Sequence, residues 1–172
     1  MLAAGGSTRM GRPKALLEVD GVPLVVHHAR AFAALGLRVS VVLGAHAPAV
    51  AAMLDATVRV VINPDWASTD PAWSAYLGLQ ACGPALFTPV DVPPARTADL
   101  LRLCAGEGPA VLAYRGHPGH PVRLEPPHAH LRLDERLRDA RLVEVEDPTR
   151  LANLNTPAQW EAWLADRARL RS

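Results

Sequence analysis

The chain has 172 residues, a length that suits a single domain spanning 1–172 and lets folding bury roughly two-thirds of the unfolded surface. Eighteen basic against seventeen acidic side chains leave a net charge of +1 without any basic block, which excludes nucleic acid as an expected partner. Apolar runs such as VPLVV and VSVVLG fall short of the ~20 residues of a membrane span, no secretory pattern opens the chain, and Cys82 and Cys104 make no disulfide framework; a cytoplasmic protein away from membranes is expected.

In chain order, a very short apolar start (MLA) leads into the glycine-rich loop AAGGSTRMGRPK. A helix is expected over about 23–35, a Val-rich strand over 38–44, a helix over 47–55 and a strand over 58–62. Asp70 as N-cap and Pro71 at the first helical position start a helix over 71–81. The run PALFTPVD (84–91) reads as a buried strand, followed by a helix over 96–105 and strands over 109–114 and 120–124. A helix over 128–139 and a strand over 141–146 come next. Thr156, Pro157 and Gln159 then form a capping box that opens a last helix over 157–170. Strands alternating with helices imply right-handed crossovers and a mainly parallel sheet covered on both faces, a three-layer α/β sandwich.

Ligands of such sheets bind beyond the carboxyl ends of the strands. Three places qualify: the loop after MLA, the TPVD segment, and whatever follows the strand at 141–146. His128 and His130 form an H-x-H and His27 and His28 are adjacent, but no Cys or acidic partner stands at zinc spacing.

The opening loop joins Gly5, Gly6 and Gly11 to Ser7, Arg9, Arg12 and Lys14, a composition that suits phosphates: glycines let backbone N–H groups face anionic oxygens, and the cations neutralise charge. It is not a Walker loop, because Arg12 follows Gly11 and Ala15 follows Lys14, so no hydroxyl is placed for magnesium. Nor is there a G-x-G-x-x-G. Lys14 is the only lysine in a chain that writes every other such base as arginine. A compact ammonium on a flexible stem can follow a phosphate as its charge moves, which a planar guanidinium does less well.

LAAGGSTRMGRPKALLEVDGVPLV resembles the signature L-A-[AG]-G-x-S-x-R-M-G-x-x-K-x-L-L-x-x-x-G-x-P-L of nucleotidyltransferases with a Rossmann-like, nucleotide-diphospho-sugar transferase-like fold, especially the branch acting on molybdenum cofactor. The resemblance implies that Leu2, Ala3, Ala4, Gly5 and Gly6 approach the base and ribose of a nucleoside triphosphate, and that Ser7, Arg9 and Lys14 gather its phosphates. Ser74 and Gly78 align with base-contacting positions, although Asp70, Pro71 and Trp73 stand where relatives carry a glycine-rich turn.

The implied reaction is Mg2+-dependent nucleotidyl transfer, with Arg9, Lys14 and Asp91 as catalytic residues. Asp91 is the implied metal ligand; Asn155, in NLNTP, is the second, and Asn153 a weaker candidate. In RGHPGHPVRL, Gly119, His120 and Pro121 match a segment that borders the acceptor in relatives, so His120 becomes an acceptor-binding candidate ahead of His117. Ala4 points to CTP, while TPVD is closer to GTP-using members; the opening loop carries more weight. The implied acceptor is molybdopterin, with a sugar, polyol or other small phosphorylated compound as the alternative. A third reading is a weakly catalytic nucleotide-binding accessory protein serving a molybdoenzyme or its chaperone.

Overall fold

A computed structural model describes residues 1–125 and 133–169 of the chain. His128 and His130 lie outside these residues, as does the first part of the helix expected over 128–139.

Among the described residues, nine strands and six helices follow one another. They are β1 (Leu2–Ala3), β2 (Glu18–Val19), β3 (Val22–Pro23), α1 (Leu24–Ala33), β4 (Ser40–Leu43), α2 (Ala47–Ala51), β5 (Arg59–Ile62), α3 (Pro71–Cys82) and β6 (Ala85–Phe87). After these come α4 (Thr97–Cys104), β7 (Ala110–Tyr114), β8 (His117–Leu124), α5 (Leu133–Arg136), β9 (Arg141–Glu144) and α6 (Pro157–Arg169). Short 3-10 turns occupy Lys14–Leu16 and Pro148–Leu151.

β1, β4 and β5 pair in parallel, and β6, β8, β7 and β9 form the rest of the sheet. The two parts join where the N–H of Leu2 donates to the Thr88 carbonyl (2.9 Å) and the N–H of Val90 to the Leu2 carbonyl (2.9 Å), flanking a parallel bridge from Leu2 to Pro89. The continuous order is therefore β5-β4-β1-β6-β8-β7-β9. The sheet is mainly parallel, with β8 antiparallel to both neighbours.

Alternating residues of the strands serve two cores. Val41 and Leu43 of β4 and Ala110 and Leu112 of β7 face α1, α4 and α6, where Leu24, Val25, Phe32, Leu100, Leu103, Trp160 and Trp163 are buried. Val111 of β7 and Val122 and Leu124 of β8 face α3 through Ala75 and Leu79. This period-two alternation makes the expected three layers.

Two local features depart from the sequence reading. Asp20 (φ 53°) and Gly21 (φ 72°) form a two-residue turn between β2 and β3, in a stretch where no strand was expected. Arg167 of α6 pins that turn, donating to both carboxylate oxygens of Asp20 (3.1 and 2.7 Å). β8 starts three residues before the expected strand, because Arg115 and Gly116 (φ 50° and 79°) close a tight hairpin whose N–H groups are accepted by the Glu144 carboxylate (2.8 and 2.9 Å).

His28 is sealed inside α1, with Nε2 donating to the Val92 carbonyl (3.0 Å). Burial lowers its pKa from 6.5 to about 4, so the folded protein holds it neutral. A depressed folded pKa gives stability that is present above pH 6.5 and is lost as pH falls toward 4. Between pH 7.5 and 4.5 the wild type is expected to lose about 2 kcal/mol more stability than His28→Gln, read by urea denaturation at both pH values; parallel losses would contradict the buried neutral imidazole.

Candidate functional site at the carboxyl ends of β1, β4 and β6

The loop after β1 is folded around Ser7, whose backbone is left-handed (φ 54°). Its carbonyl accepts from the N–H groups of Met10 (3.0 Å) and Gly11 (3.2 Å), and its hydroxyl accepts from the N–H of Lys14 (3.1 Å). Ser7 thus holds the loop's shape and delivers Lys14 to its place.

Lys14 Nζ donates to Asp91 Oδ2 (2.9 Å) and to Asn155 Oδ1 (2.6 Å). Three residues from far-separated segments meet at one ammonium group, and each is carried there by backbone. Asp91 follows the Val90 to Leu2 hydrogen bond, which extends the β6 line past the end of β1. The N–H of Leu154, a fully buried residue, donates to the Asp91 carbonyl (2.8 Å) and sets Asn155 beside it. The capping box completes the arrangement: Gln159 Oε1 accepts from the N–H groups of Asn155 (2.9 Å) and Thr156 (3.1 Å), and Thr156 Oγ1 accepts from the N–H of Gln159 (3.3 Å).

Beside this triad lies a cavity of about 340 Å³, lined by Leu2, Ala3, Ala4, Gly5, Ser7, Lys14, Ser74 and Asp91 among others. Ser74, at the start of α3, is buried and its hydroxyl accepts from Asn63 Nδ2 (2.8 Å). The wholly buried Asn63 also donates to Thr69 Oγ1 (3.1 Å) and accepts from the N–H of Asp65 (3.0 Å), which ties the loop between β5 and α3 into an arch over the cavity.

Other expected site residues stand elsewhere. Arg9 is exposed on the loop and does not line the cavity. Gly6 lies under the ring of Trp66, where a Cβ would come within 3.2 Å of it. Gly78 is set against β4: a Cβ there would stand 2.8 Å from Val42 Cγ2, so its small size serves helix-to-strand packing. Asn153 and His117 are exposed.

His120 borders a second cavity of about 310 Å³ that adjoins the first across Leu2, Asp70, Pro71 and Pro89. Its ring is tilted against Phe87 (6.1 Å between centroids), and Nδ1 is buried without a hydrogen-bond partner among the described residues. Burial pushes its pKa down to about 4 despite the opposing pull of the Asp91 carboxylate, so the imidazole is neutral near pH 7.

The sequence reading missed three residues here. Trp66 and His46 line the first cavity, and His46 Nε2 donates to the Gly6 carbonyl (3.2 Å). Asn63 carries a local signal, an Asn-Pro pair after a strand that favours a turn; His46 carries none.

No group of three or more His, Cys, Asp or Glu gathers at metal-binding distance among the described residues. The donor set nevertheless suits a hard cation that keeps water and phosphate ligands: a carboxylate oxygen and an amide oxygen already converge on one positive charge, the Lys14 ammonium.

A three-layer sheet with a glycine-rich loop, an ammonium and a carboxylate at its carboxyl edge defines a nucleotide-handling α/β protein. The chain belongs to the MobA-like NTP transferase domain family, whose profile matches residues 1–151. It is similar in structure to a nucleotidyl transferase from Methanothermobacter thermautotroptrophicus (26% identity, 98% of this chain and 96% of that one, TM-score 0.80). It is also similar to Rv0371c of Mycobacterium tuberculosis (22% identity, 95% of each chain, TM-score 0.79), which has also been solved as a manganese complex. Molybdopterin-guanine dinucleotide biosynthesis protein A of Archaeoglobus fulgidus shares the fold at 14% identity (98% and 97% covered, TM-score 0.72). No curated protein matches the sequence.

Gly44, directly after β4, packs behind two cavity-lining residues, Ala4 and Trp66, and leaves no room for a side chain. A Cβ there would come within 2.5 Å of the Ala4 carbonyl oxygen and 2.7 Å of Trp66 Cβ. Gly44→Ala is expected to cost about 1–3 kcal/mol of stability by chemical denaturation, and an unchanged midpoint would show that the wall yields freely.

Proposed function

We propose that this chain moves a nucleoside monophosphate from a triphosphate, CTP in preference to GTP, to the phosphate of a molybdopterin-type acceptor and releases pyrophosphate. The observation that carries the reading is the meeting of Asp91 and Asn155 at Lys14, with Lys14 and Asp91 lining the cavity beside the opening loop. The family match ends at Leu151, before Asn155, yet Trp160 and Trp163 of α6 share the core of the matched segment. That shared core supports one transferase domain across 1–172 with Asn155 as part of its site.

In this reading the acceptor's phosphate oxygen attacks the α-phosphorus in line, a new P–O bond forms, and the bond to the pyrophosphate oxygen breaks. Positioning and charge stabilisation do the catalytic work. Lys14 exchanges its contacts with Asp91 and Asn155 for the triphosphate, and its flexible stem lets the ammonium track the charge that moves to pyrophosphate. Backbone N–H groups of the loop at Gly5 and Gly6 and the exposed Arg9 meet the remaining anionic oxygens. Asp91 and Asn155 would hold the Mg2+, which supplies further neutralisation at the phosphates when bound.

Ala4 supports CTP, since its buried methyl narrows the cavity that a glycine would leave wider for a purine. Ser74, which lines the cavity, is the base-contacting candidate from α3, and Gly78 contributes by holding α3 close to β4. The unpartnered buried Nδ1 of His120 supports an acceptor in the adjoining cavity. No described helix is long and apolar enough to cross a membrane; a cytoplasmic setting with a molybdoenzyme or its chaperone as recipient completes the proposal.

The test is pyrophosphate release from CTP or GTP with molybdopterin or a panel of sugar and polyol phosphates. Asp91→Ala and Lys14→Ala are each expected to lower kcat/KM by a hundredfold or more, about 2.7 kcal/mol of transition-state stabilisation. Full activity in either variant would overturn the assignment. Nucleotide binding without turnover in the wild type would favour the accessory reading.

A further inference from the structure

Trp66 is outside the opening signature, yet the fold makes room for it twice. Glycine stands where any side chain would strike it: a Cβ on Gly6 would be 3.2 Å from ring carbon Cζ3, and one on Gly44 would be 2.7 Å from Trp66 Cβ and 2.8 Å from Cγ. The indole therefore spans from the end of β4 to the loop after β1, with bare backbone beneath both of its ends.

An indole recruited for packing alone would be sealed, as Trp160 and Trp163 are at 4% and 9% exposure. Trp66 keeps 37% of its surface open and lines the same cavity as Ala4, Gly5 and Lys14. The peptide it rests on is also held from the neighbouring loop, because His46 donates to the Gly6 carbonyl (3.2 Å). A flat aromatic surface is thus held in place at one wall of a site whose other end carries the phosphate-seeking ammonium.

We propose that Trp66 is the platform on which the nucleobase of the bound triphosphate stacks. Every base has a π-face, so stacking contributes affinity without choosing among bases. Choice is left to the wall at Ala4, and this division explains how an aromatic platform coexists with a preference for CTP. The proposal rests on the nucleotidyltransferase reading and adds to it the residue that holds the base.

The experiment compares a non-hydrolysable CTP analogue with inorganic triphosphate, which has the same phosphates and no base, by titration calorimetry of the full chain. Trp66→Leu is expected to weaken the analogue about tenfold while leaving inorganic triphosphate within twofold. Trp66→Phe, which keeps an aromatic face, should restore most of the analogue's affinity. Quenching of tryptophan fluorescence by the analogue should be present in the wild type and largely lost in both variants.

Equal analogue affinity in wild type and Trp66→Leu overturns the stacking role and leaves the transferase reading standing. Equal weakening of both ligands without rescue by Phe also overturns it, since the indole would then only support the loop. If the wild type binds neither ligand, both readings fall together.

Discussion

The site depends on one ammonium group. Lys14 Nζ stands 2.9 Å from a carboxylate and 2.6 Å from an amide oxygen, and these three side chains come from the loop after β1, the segment after β6 and the turn before α6. The pair with Asp91 is mostly enclosed, at 13% and 26% side-chain exposure. Such a pair gains little net stability, because desolvation offsets the attraction and the open side is screened by water. The contact therefore specifies geometry more than it stabilises the fold. It also holds the oxygens of Asp91 and Asn155 converged on one positive charge, the Lys14 ammonium.

The rest of the fold serves that convergence through backbone. β1 is two residues long, yet its Leu2 carbonyl and N–H hold the Thr88 to Val90 segment, and Asp91 in turn holds Leu154 through its carbonyl. A chain of main-chain hydrogen bonds thus crosses the edge of the sheet from one site residue to the next. Side chains could drift by a rotamer; peptide groups paired in this way cannot. The capping box before α6 adds a second use to a helix-starting motif, because Gln159 accepts from the N–H of Asn155 itself.

The cavity walls follow a different logic. Gly6, Gly44 and Gly78 each sit where a Cβ would strike a neighbour: the first two let the Trp66 segment close onto the loops after β1 and β4, and the third lets α3 lie against β4. Gly78 fits tightly against Val42, a packing role that its alignment with base-contacting positions does not reveal. His28 and His120 are both held neutral by burial, but His28 satisfies its Nε2 on Val92, whereas the Nδ1 of His120 has no partner among the described residues. Burial alone does not distinguish the two histidines; their hydrogen bonding does.

The sequence by itself determined the layer architecture, the alternation of strands and helices, the capping residues Asp70, Thr156 and Gln159, and the glycine-rich loop that carries Lys14. These are local or motif-encoded, because period, cap chemistry and a glycine-rich loop each act within a few residues. The Asp20–Gly21 hairpin was also written locally, in a dipeptide that demands left-handed backbone, but lay hidden beside the stronger helical pattern that follows. Only the tertiary structure decided that Lys14 bridges Asp91 and Asn155, that β8 runs antiparallel, and that Arg9 and Gly78 stand off the cavity while Trp66 and His46 join it. Those outcomes rest on contacts between residues tens of positions apart, and no local rule specifies which of several loops at a sheet edge will touch.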